Sequence, residues 1–412
     1  MNENISEKLS DNEVTTHTAS LWKYIPIPDD SPEKYPEFAY DNISDDSSGI
    51  SVTAARVRGK KHKHEGTNCD DWYAFEISDG MVFAAVSDGA GSKIFSRIGA
   101  KTACTSAVEY MKNSFAEYLA DNPGALDAAA SDFSAAEFTG VCTDLAGIVR
   151  SAASHASEAV IEEAEKRRTD EALIKTAGRE PAAADFSATL LLTAVIPVKN
   201  GENLVISVQI GDGMTAAVDS RAPFETALSL MGNPDKGEFS GETDFITSPS
   251  AMRPESIMNH TRLRRSACTD ILMMTDGVAD DYFPNNPDIL RLFLDLRANG
   301  IISGETGGII TDENRPYVSS IPHPEKYVWV NDGDVSYEFQ YMISVMEKTG
   351  LSLKQLWEMP DTAAAASLEA FGIAPCGDTP AERLAVWLDN YVRRGSFDDR
   401  TLLIIHTGEK SD

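Results

Sequence analysis

Cysteine is scarce in this chain, and its distribution excludes two kinds of architecture. The five cysteines, Cys69, Cys104, Cys142, Cys268 and Cys376, are odd in number and widely spaced, with no C-x-x-C pair. Neither a structural zinc site nor a disulfide framework is indicated, and a reducing cytoplasm is the expected compartment. Long apolar runs are also lacking. The best of them, Ala188 to Val198, falls well short of the roughly 20 residues that span a bilayer. The first residues, Met1-Asn2-Glu3-Asn4-Ile5-Ser6-Glu7-Lys8, carry neither the basic nor the apolar region of a secretory signal. Positive charge is in deficit, with 36 Lys+Arg against 65 Asp+Glu and a formal net charge of −29. Such a surface repels phosphate backbones and anionic lipid, which argues against nucleic-acid and membrane-surface partners. Two ligand-binding signatures are missing. Gly99-Ala100-Lys101-Thr102 has no glycine five residues before it, so no P-loop is present, and no EF-hand loop occurs. No activated serine or cysteine constellation stands out, and neither does an internal repeat or a coiled coil.

The remainder is ordinary globular composition, 42% hydrophobic and 25% charged over 412 residues, enough for one large domain with insertions or two smaller ones. Residues 1–20 are polar and acidic and read as disordered. Between 21 and 50, Trp22, Tyr24, Tyr35, Phe38 and Tyr40 lie among Pro26, Pro28, Pro32 and Pro36, which suggests an irregular segment laid over a domain. The division expected is an acidic, partly disordered segment over 1–50 and one domain over 51–408, with insertions near 169–186 and 280–330.

Strong patterning begins near Ser51. Trp72–Ser78 and Met81–Ser87 flank Asp79-Gly80, the dipeptide of a type I′ hairpin. Val108, Met111, Phe115 and Leu119 share one helical face, and Val141, Leu145, Ile148 and Ala152 mark a second long helix that ends by Lys166-Arg167-Arg168. An Ala-rich loop near 121–135 joins the two helices, and 169–186 reads as mobile. Strands are expected at Ser187–Val198, Leu204–Ile210, Met214–Asp219, Asp244–Thr247, Ile271–Thr275 and Thr401–His406, with turns at Asn200-Gly201 and Gly211-Asp212-Gly213. A short helix is expected near Asp288–Arg297. Thr379-Pro380-Ala381-Glu382 combines a capping box with proline at the first helical position, in a helix expected to run to Arg393-Arg394 and stop at Gly395. This order does not alternate as parallel βαβ sheets require, so an antiparallel α+β architecture with helices over sheets is expected.

The most informative feature is a set of aspartates at strand ends. Asp88-Gly89, Asp212-Gly213 and Asp276-Gly277 each follow an apolar strand, and Asp398-Asp399 opens the last one. A buried strand fixes its terminal residue, and a following glycine leaves room for a ligand. Carboxylates held this way are hard oxygen ligands suited to Mg2+ or Mn2+. One Asp-Gly after a strand is ordinarily only a turn. Several of them point to an acidic metal centre.

These residues resemble the motifs of the metal-dependent Ser/Thr protein phosphatases of the 2C type, in their bacterial form. Gly59-Lys60-Lys61-His62 with Gly66-Thr67-Asn68-Cys69-Asp70-Asp71 is similar to the first motif, and Asp88-Gly89-Ala90-Gly91-Ser92 to the second. Ser187-Ala188-Thr189-Leu190-Leu191 and Ile210-Gly211-Asp212-Gly213 resemble the central strands, and Thr275-Asp276-Gly277-Val278 and Asp398-Asp399-Arg400-Thr401 the last two motifs. The match runs in order over residues 52–408. It implies a sandwich of two antiparallel β-sheets flanked by helices, and a phosphoserine/phosphothreonine phosphatase that uses a metal-activated bridging water. It also implies two Mn2+ or Mg2+ ions with a third, weaker site. Asp88 would bridge the two ions and the Gly89 carbonyl would join one of them. Asp276 and Asp398 would complete the first ion's ligands, Asp70 and Asp71 would serve the second directly or through water, and Asp212 would serve the third. A phosphoprotein substrate, a protein kinase as counterpart and a monomeric state go with the resemblance. Its alternative is an inactive 2C-like scaffold that binds a kinase or phosphoproteins.

There are departures from the family pattern. Asp70 replaces the usual Gln or Glu, and Ala90 stands where some members carry a histidine. The arginine that grips substrate phosphate has no clear counterpart, although Lys60, Lys61, His62, Lys63 and His64 lie nearby. His62 is a candidate substrate contact or a structural hydrogen-bonding residue. The stretch Asp280-Asp281-Tyr282-Phe283-Pro284, just past Asp276, combines acids with two aromatics, a composition suited to contacting a partner or capping the site.

Overall fold

The computed structural model describes residues 23–232, 243–302, 350–359, 379–390 and 397–407. Expectations for residues 1–22, for Cys376, for 303–330 and for Arg393-Arg394-Gly395 lie outside them. Two antiparallel sheets carry the fold. The first has the order β3-β4-β5-β6-β9, formed by β3 (Trp72–Ser78), β4 (Met81–Ser87), β5 (Leu190–Pro197), β6 (Asn203–Ile210) and β9 (Thr261–Ser266). The second has the order β1-β2-β11-β10-β7-β8. Its strands are β1 (Phe38–Asp45), β2 (Ile50–Val57), β7 (Met214–Val218), β8 (Leu228–Leu230), β10 (Asp270–Met274) and β11 (Arg400–His406). The β3–β4 hairpin turns at Asp79 (φ 51°) and Gly80 (φ 72°), both left-handed as a type I′ turn requires.

The central strands read as unbroken apolar runs because both of their faces are covered. Along β4, Val82, Ala84 and Val86 meet Ile271 and Met273 of β10 and Leu403 and Ile405 of β11 between the sheets. The alternate residues Met81, Phe83 and Ala85 face the helices Ser96–Asp121 and Ala136–Lys166. Phe83 stacks obliquely on Phe115 at 4.9 Å between ring centroids, and Val108 and Met111 continue that helical face. The second sheet is covered in the same way. Leu272, Met274 and Leu402 pack with Leu292 and Leu296 of the Asn285–Ala298 helix and with Leu384 and Leu388 of the Pro380–Asn390 helix. The amide of Glu382 donates to Thr379 Oγ1 at the start of the latter.

The structure departs from the sequence reading in several places. Asp244–Thr247 is not a strand: the chain turns there, with the Ser248 amide donating to the Phe245 carbonyl, and only Ile246 reaches Ala188. The central strand β2 and three edge strands, β1, β8 and β9, were not expected. Edge strands carry polar residues on their open side, so Thr261-Arg262-Leu263-Arg264-Arg265-Ser266 shows no apolar alternation. β1 pairs with β2 from Phe38↔Val57 to Asp45↔Ile50, so the expected boundary at residue 50 falls inside this hairpin. The Ala-rich loop holds a helical turn at Ala125–Ala129. The 169–186 stretch is packed: the Asp170 side chain caps the helix Glu171–Ala177, Leu173 is buried, and Phe186 lies 5.5 Å from Phe95. Tyr282, expected at a partner surface, is fully buried in the core beneath the second sheet, whereas Phe283 is exposed. Cys69, Cys104, Cys142 and Cys268 are buried and unbonded. No helix among the described residues is long and apolar enough to cross a membrane.

Candidate metal centre

The acidic strand ends of both sheets converge at one end of the sandwich. Asp88 follows β4, and its backbone is clamped to Thr189: the Asp88 amide donates to Thr189 Oγ1 (2.9 Å) and the Thr189 amide to the Asp88 carbonyl (2.8 Å). Gly89 pairs with Ala188. Asp71 precedes β3 in the first sheet, yet its Oδ2 accepts the hydroxyls of Thr275 (2.9 Å) and Thr401 (2.7 Å) from the second. It therefore joins the sheets at the site. Asp276 opens a single helical turn, Asp276–Ala279, behind β10. Asp212 lies in the turn where the chain passes from β6 to β7, and its Oδ2 accepts from Thr243 Oγ1 (2.7 Å).

Carboxylate oxygens of Asp88, Asp212 and Asp276 all lie within 4.8 Å of one another. Burial, then the negative charges of Asp276, Asp71 and Asp398, pushes the Asp88 carboxyl well above its ordinary range. Asp276 is raised in the same direction by burial and then by Asp212, Asp398, Asp71 and Asp280. Asp71 is pushed up to about 7, chiefly by burial and Asp399. The buried Oδ1 atoms of Asp71 and Asp212 have no hydrogen-bond donor. Among the described residues no lysine or arginine forms an ion pair with Asp71, Asp88, Asp212, Asp276 or Asp398. Carboxylates crowded together with no lysine or arginine paired to them fit a site for divalent cations, and an all-oxygen donor set suits Mg2+ or Mn2+.

Asp70 stands beside Gly89, with its Cβ 3.0 Å from where a Cβ on that glycine would sit. It lies by His62, whose Nε2 is 3.8 Å from its Oδ2, and burial raises it to about 7. His62 is 3% exposed, with Nδ1 2.8 Å from Asp399 Oδ2, as in its reading as a structural hydrogen-bonding residue. Burial works against the charged imidazolium, but Asp399 outweighs it and lifts the ring to about 10. Asp399 also accepts the backbone amides of Gly59 and Asp70. A Cβ on Gly59 would stand 2.2 Å from the Asp398 carbonyl carbon, so only glycine lets the loop at 59–70 approach the start of β11. Asp398 has an oxygen within 4.8 Å of a His62 ring nitrogen and an Asp399 oxygen, and its charge also reaches Asp88 and Asp276.

Sequence reasoning did not single out two kinds of residue. One is the set of hydroxyls on Thr189, Thr275 and Thr401 that hold the acids in place. The other is Asp280, whose carboxyl is raised by burial and by Asp212. The signal for Asp280 was its spacing of four from Asp276, which puts both on one face of a helical turn.

The family model described as protein phosphatase 2C matches residues 58–299, more than half of the chain. No curated protein matches. Among solved structures, RsbX in complex with magnesium is 10% identical, covers 89% of this chain and 99% of its own, and gives a TM-score of 0.35. Stp1 from Staphylococcus aureus is 9% identical over 93% of this chain and 98% of its own, with a TM-score of 0.32. A serine-threonine phosphatase 2C from Toxoplasma gondii is 10% identical over 90% and 99%, with a TM-score of 0.36. On the family match, this chain belongs to the protein phosphatase 2C family.

Proposed function

We propose that this protein is a metal-dependent phosphatase that removes phosphate from phosphoserine and phosphothreonine in proteins. The observation that carries this reading is the cluster of Asp88, Asp212 and Asp276 carboxylates, with the donorless buried oxygens of Asp71 and Asp212. In it Asp71, Asp88, Asp276 and Asp398, with the Gly89 carbonyl, would hold two Mn2+ or Mg2+ ions. Asp212 and Asp280 would hold a third. Asp70, which lies beside Gly89, would serve the second ion together with Asp71, directly or through water.

Divalent ions bound there would lower the pKa of a shared water and neutralise phosphate oxygens. The chain's own residues do the positioning. Thr275 and Thr401 fix the Asp71 carboxylate, Thr189 fixes the Asp88 backbone, and the His62–Asp399 pair holds the loop carrying Asp70 and Asp71 against β11. None of the acids needs to attack phosphorus, because a metal-activated water would be the nucleophile and no side-chain nucleophile is then required. Ala90 offers no proton, and the departing serine or threonine oxygen takes one from solvent. A phosphoprotein substrate, a cytoplasmic setting and a protein kinase working in opposition accompany this reading. The test is turnover of p-nitrophenyl phosphate and of a phosphothreonine peptide with Mn2+. Turnover that EDTA abolishes supports the reading, and a protein that binds Mn2+ and a phosphopeptide without hydrolysing it would be the inactive scaffold instead.

A further inference from the structure

The first sheet ends in β9, which pairs with β6 from Thr261↔Val208 to Ser266↔Asn203. Among the described residues no strand pairs with its other side. An open strand edge presents backbone donors and acceptors to whatever extended chain can approach it. The sequence of this edge is Thr261-Arg262-Leu263-Arg264-Arg265-Ser266, with three arginines in six residues, in a chain whose net charge is −29.

Residues opposite one another in an antiparallel pair share a face. Leu263 and Arg265 stand opposite Ile206 and Leu204, whose side chains pack towards the helices. Arg264 stands opposite Val205, whose side chain packs between the sheets, and Arg262 shares that face opposite Ser207. Two of the arginines are engaged by the fold. Arg265 pairs with Glu202 (3.0 Å), donates to the carbonyls of Ala129 and Ser131, and lies 4.1 Å over the Phe133 ring. Arg262 donates to the carbonyls of Asn259 and Thr261. Arg264 is exposed, and among the described residues its guanidinium has no ion pair, hydrogen bond or aromatic ring. Apolar surface lies on the other face: Leu263 is 36% exposed, and Phe133, against Arg265, is 60% exposed.

Charge on an open edge keeps unwanted strands away, and its sign decides which strands are unwanted. A second β9 would set arginine against arginine, and like charges facing each other across a strand pair destabilise it. A segment with acids at alternate positions would instead place them against Arg264 and Arg262, and its apolar residues against Leu263. Elsewhere the net negative charge repels such a segment, so the basic edge also steers its approach. We propose that the open edge of β9 takes an extended acidic segment of a partner protein as a further strand. Backbone hydrogen bonds supply the affinity, and Arg264 supplies the selection for negative charge. The contact requires neither metal nor hydrolysis, so it stands apart from the phosphatase reading.

The test uses the full chain and a fluorescein-labelled peptide, Gly-Glu-Val-Glu-Val-Glu-Val-Glu-Gly, with binding read by anisotropy. One control peptide carries lysine for each glutamate. A second is N-methylated throughout, which keeps every side chain but removes the backbone donors. The proteins are wild type, Arg264→Gln, Arg264→Glu and Lys175→Glu, the last making the same charge inversion on the helix Glu171–Ala177. Urea unfolding should show all of them close to wild type in stability, because the altered positions are exposed. Wild type should bind the acidic peptide, with at least about tenfold weaker binding of either control peptide. Arg264→Gln should weaken the acidic peptide by about threefold and Arg264→Glu by about tenfold, because inversion adds a repulsion to the lost attraction. Lys175→Glu should bind within about twofold of wild type.

Folded wild type that does not bind the acidic peptide overturns the proposal. An equal loss in Lys175→Glu also overturns it, because the effect would be one of general charge. Equal binding of the N-methylated peptide overturns it as well, because no strand would have been added. Sedimentation of the free chain as a dimer that Arg264→Glu dissociates would give the edge to a second copy and not to an acidic partner. A protein that hydrolyses no phosphomonoester but binds the peptide in an Arg264-dependent way upholds the edge site and sinks the phosphatase reading.

Discussion

Asp398 and Asp399 are neighbours in sequence and opposites in environment. Asp399 is 1% exposed and receives two backbone amides and the His62 ring. Burial alone would raise its carboxyl, but His62 and those amides hold it below the ordinary range. Asp398 is less buried, and its Oδ1 accepts the amide of its own neighbour (3.0 Å). Its charge falls on Asp88 and Asp276 as well as on His62. Successive residues of an extended chain point to opposite sides, so one acid is directed at the loop it braces and the next at the cluster. A buried acid surrounded by donors is part of the fold. One that faces other acceptors implies a cation the chain does not supply.

That contrast breaks first at Asp88. Asp88→Asn removes a charge from the cluster while keeping its size, so Mn2+-supported turnover should fall by more than about 100-fold, beyond what residues merely supporting a ligand cost. The metal-free protein should hold its stability or gain some, because a repelling carboxylate is gone. Asp276→Ala and Asp398→Ala should likewise abolish turnover and weaken Mn2+ binding by calorimetry. Near-normal rates from folded Asp88→Asn would remove the metal assignment.

The adjacent pair gives a sharper version. Asp399→Asn leaves a buried imidazolium without its partner, and breaking such a pair costs about 3–5 kcal/mol. Urea unfolding should show that loss, whereas Asp398→Asn should unfold close to wild type while losing turnover. If the two variants lose stability equally, the division between bracing acid and site acid is wrong.

Much of this was legible in the sequence, for physical reasons. Strands buried on both faces write themselves as apolar runs, so β4, β5, β6, β10 and β11 were found, and the acids at their ends with them. The β3–β4 hairpin was marked by the dihedral demands of Asp79-Gly80. Edge strands such as β1 and β9 were not legible, because solvent on one side removes the pattern. Strand patterning did not separate Asp398 from Asp399, where only the family resemblance favoured Asp398, nor did it separate Asp70 from Asp71. Each pair differs only in which way a side chain turns, and that is set by partners hundreds of residues away, such as Gly59 for Asp399 and Thr401 for Asp71. His62 was open for the same reason: its role is decided by Asp399, 337 residues distant.

A smaller effect concerns protons. The folded-state carboxyl of Asp71 titrates near 7, above the ordinary value of 3.8. For an acid raised in this way, the stability it contributes is intact below about pH 4 and is lost as the pH rises through 7. Divalent ions compete with those protons and relieve the repulsion once they are gone. The gain in melting temperature on adding Mn2+ should therefore be larger at pH 8 than at pH 5.5, and Asp88→Asn should shrink it. A gain independent of pH would place the stabilising ion elsewhere.

The smallest effect is expected at an acid that only looks like the others. Asp79 also stands beside a glycine at a strand end, but it sits in the β3–β4 turn with φ 51°. Its role is to occupy the left-handed region, which aspartate tolerates better than alanine does. Asp79→Ala should therefore cost about 1 kcal/mol through backbone strain, and Asp79→Asn or Asp79→Gly should cost less, because both residues accept that conformation. In all three variants kcat and Mn2+ affinity should match wild type. Denaturant unfolding alongside turnover on p-nitrophenyl phosphate checks both halves. If Asp79→Ala reduced kcat as far as Asp276→Ala does, proximity to a glycine rather than the surrounding donors would be what marks a functional acid here, and the contrast between Asp398 and Asp399 would lose its meaning.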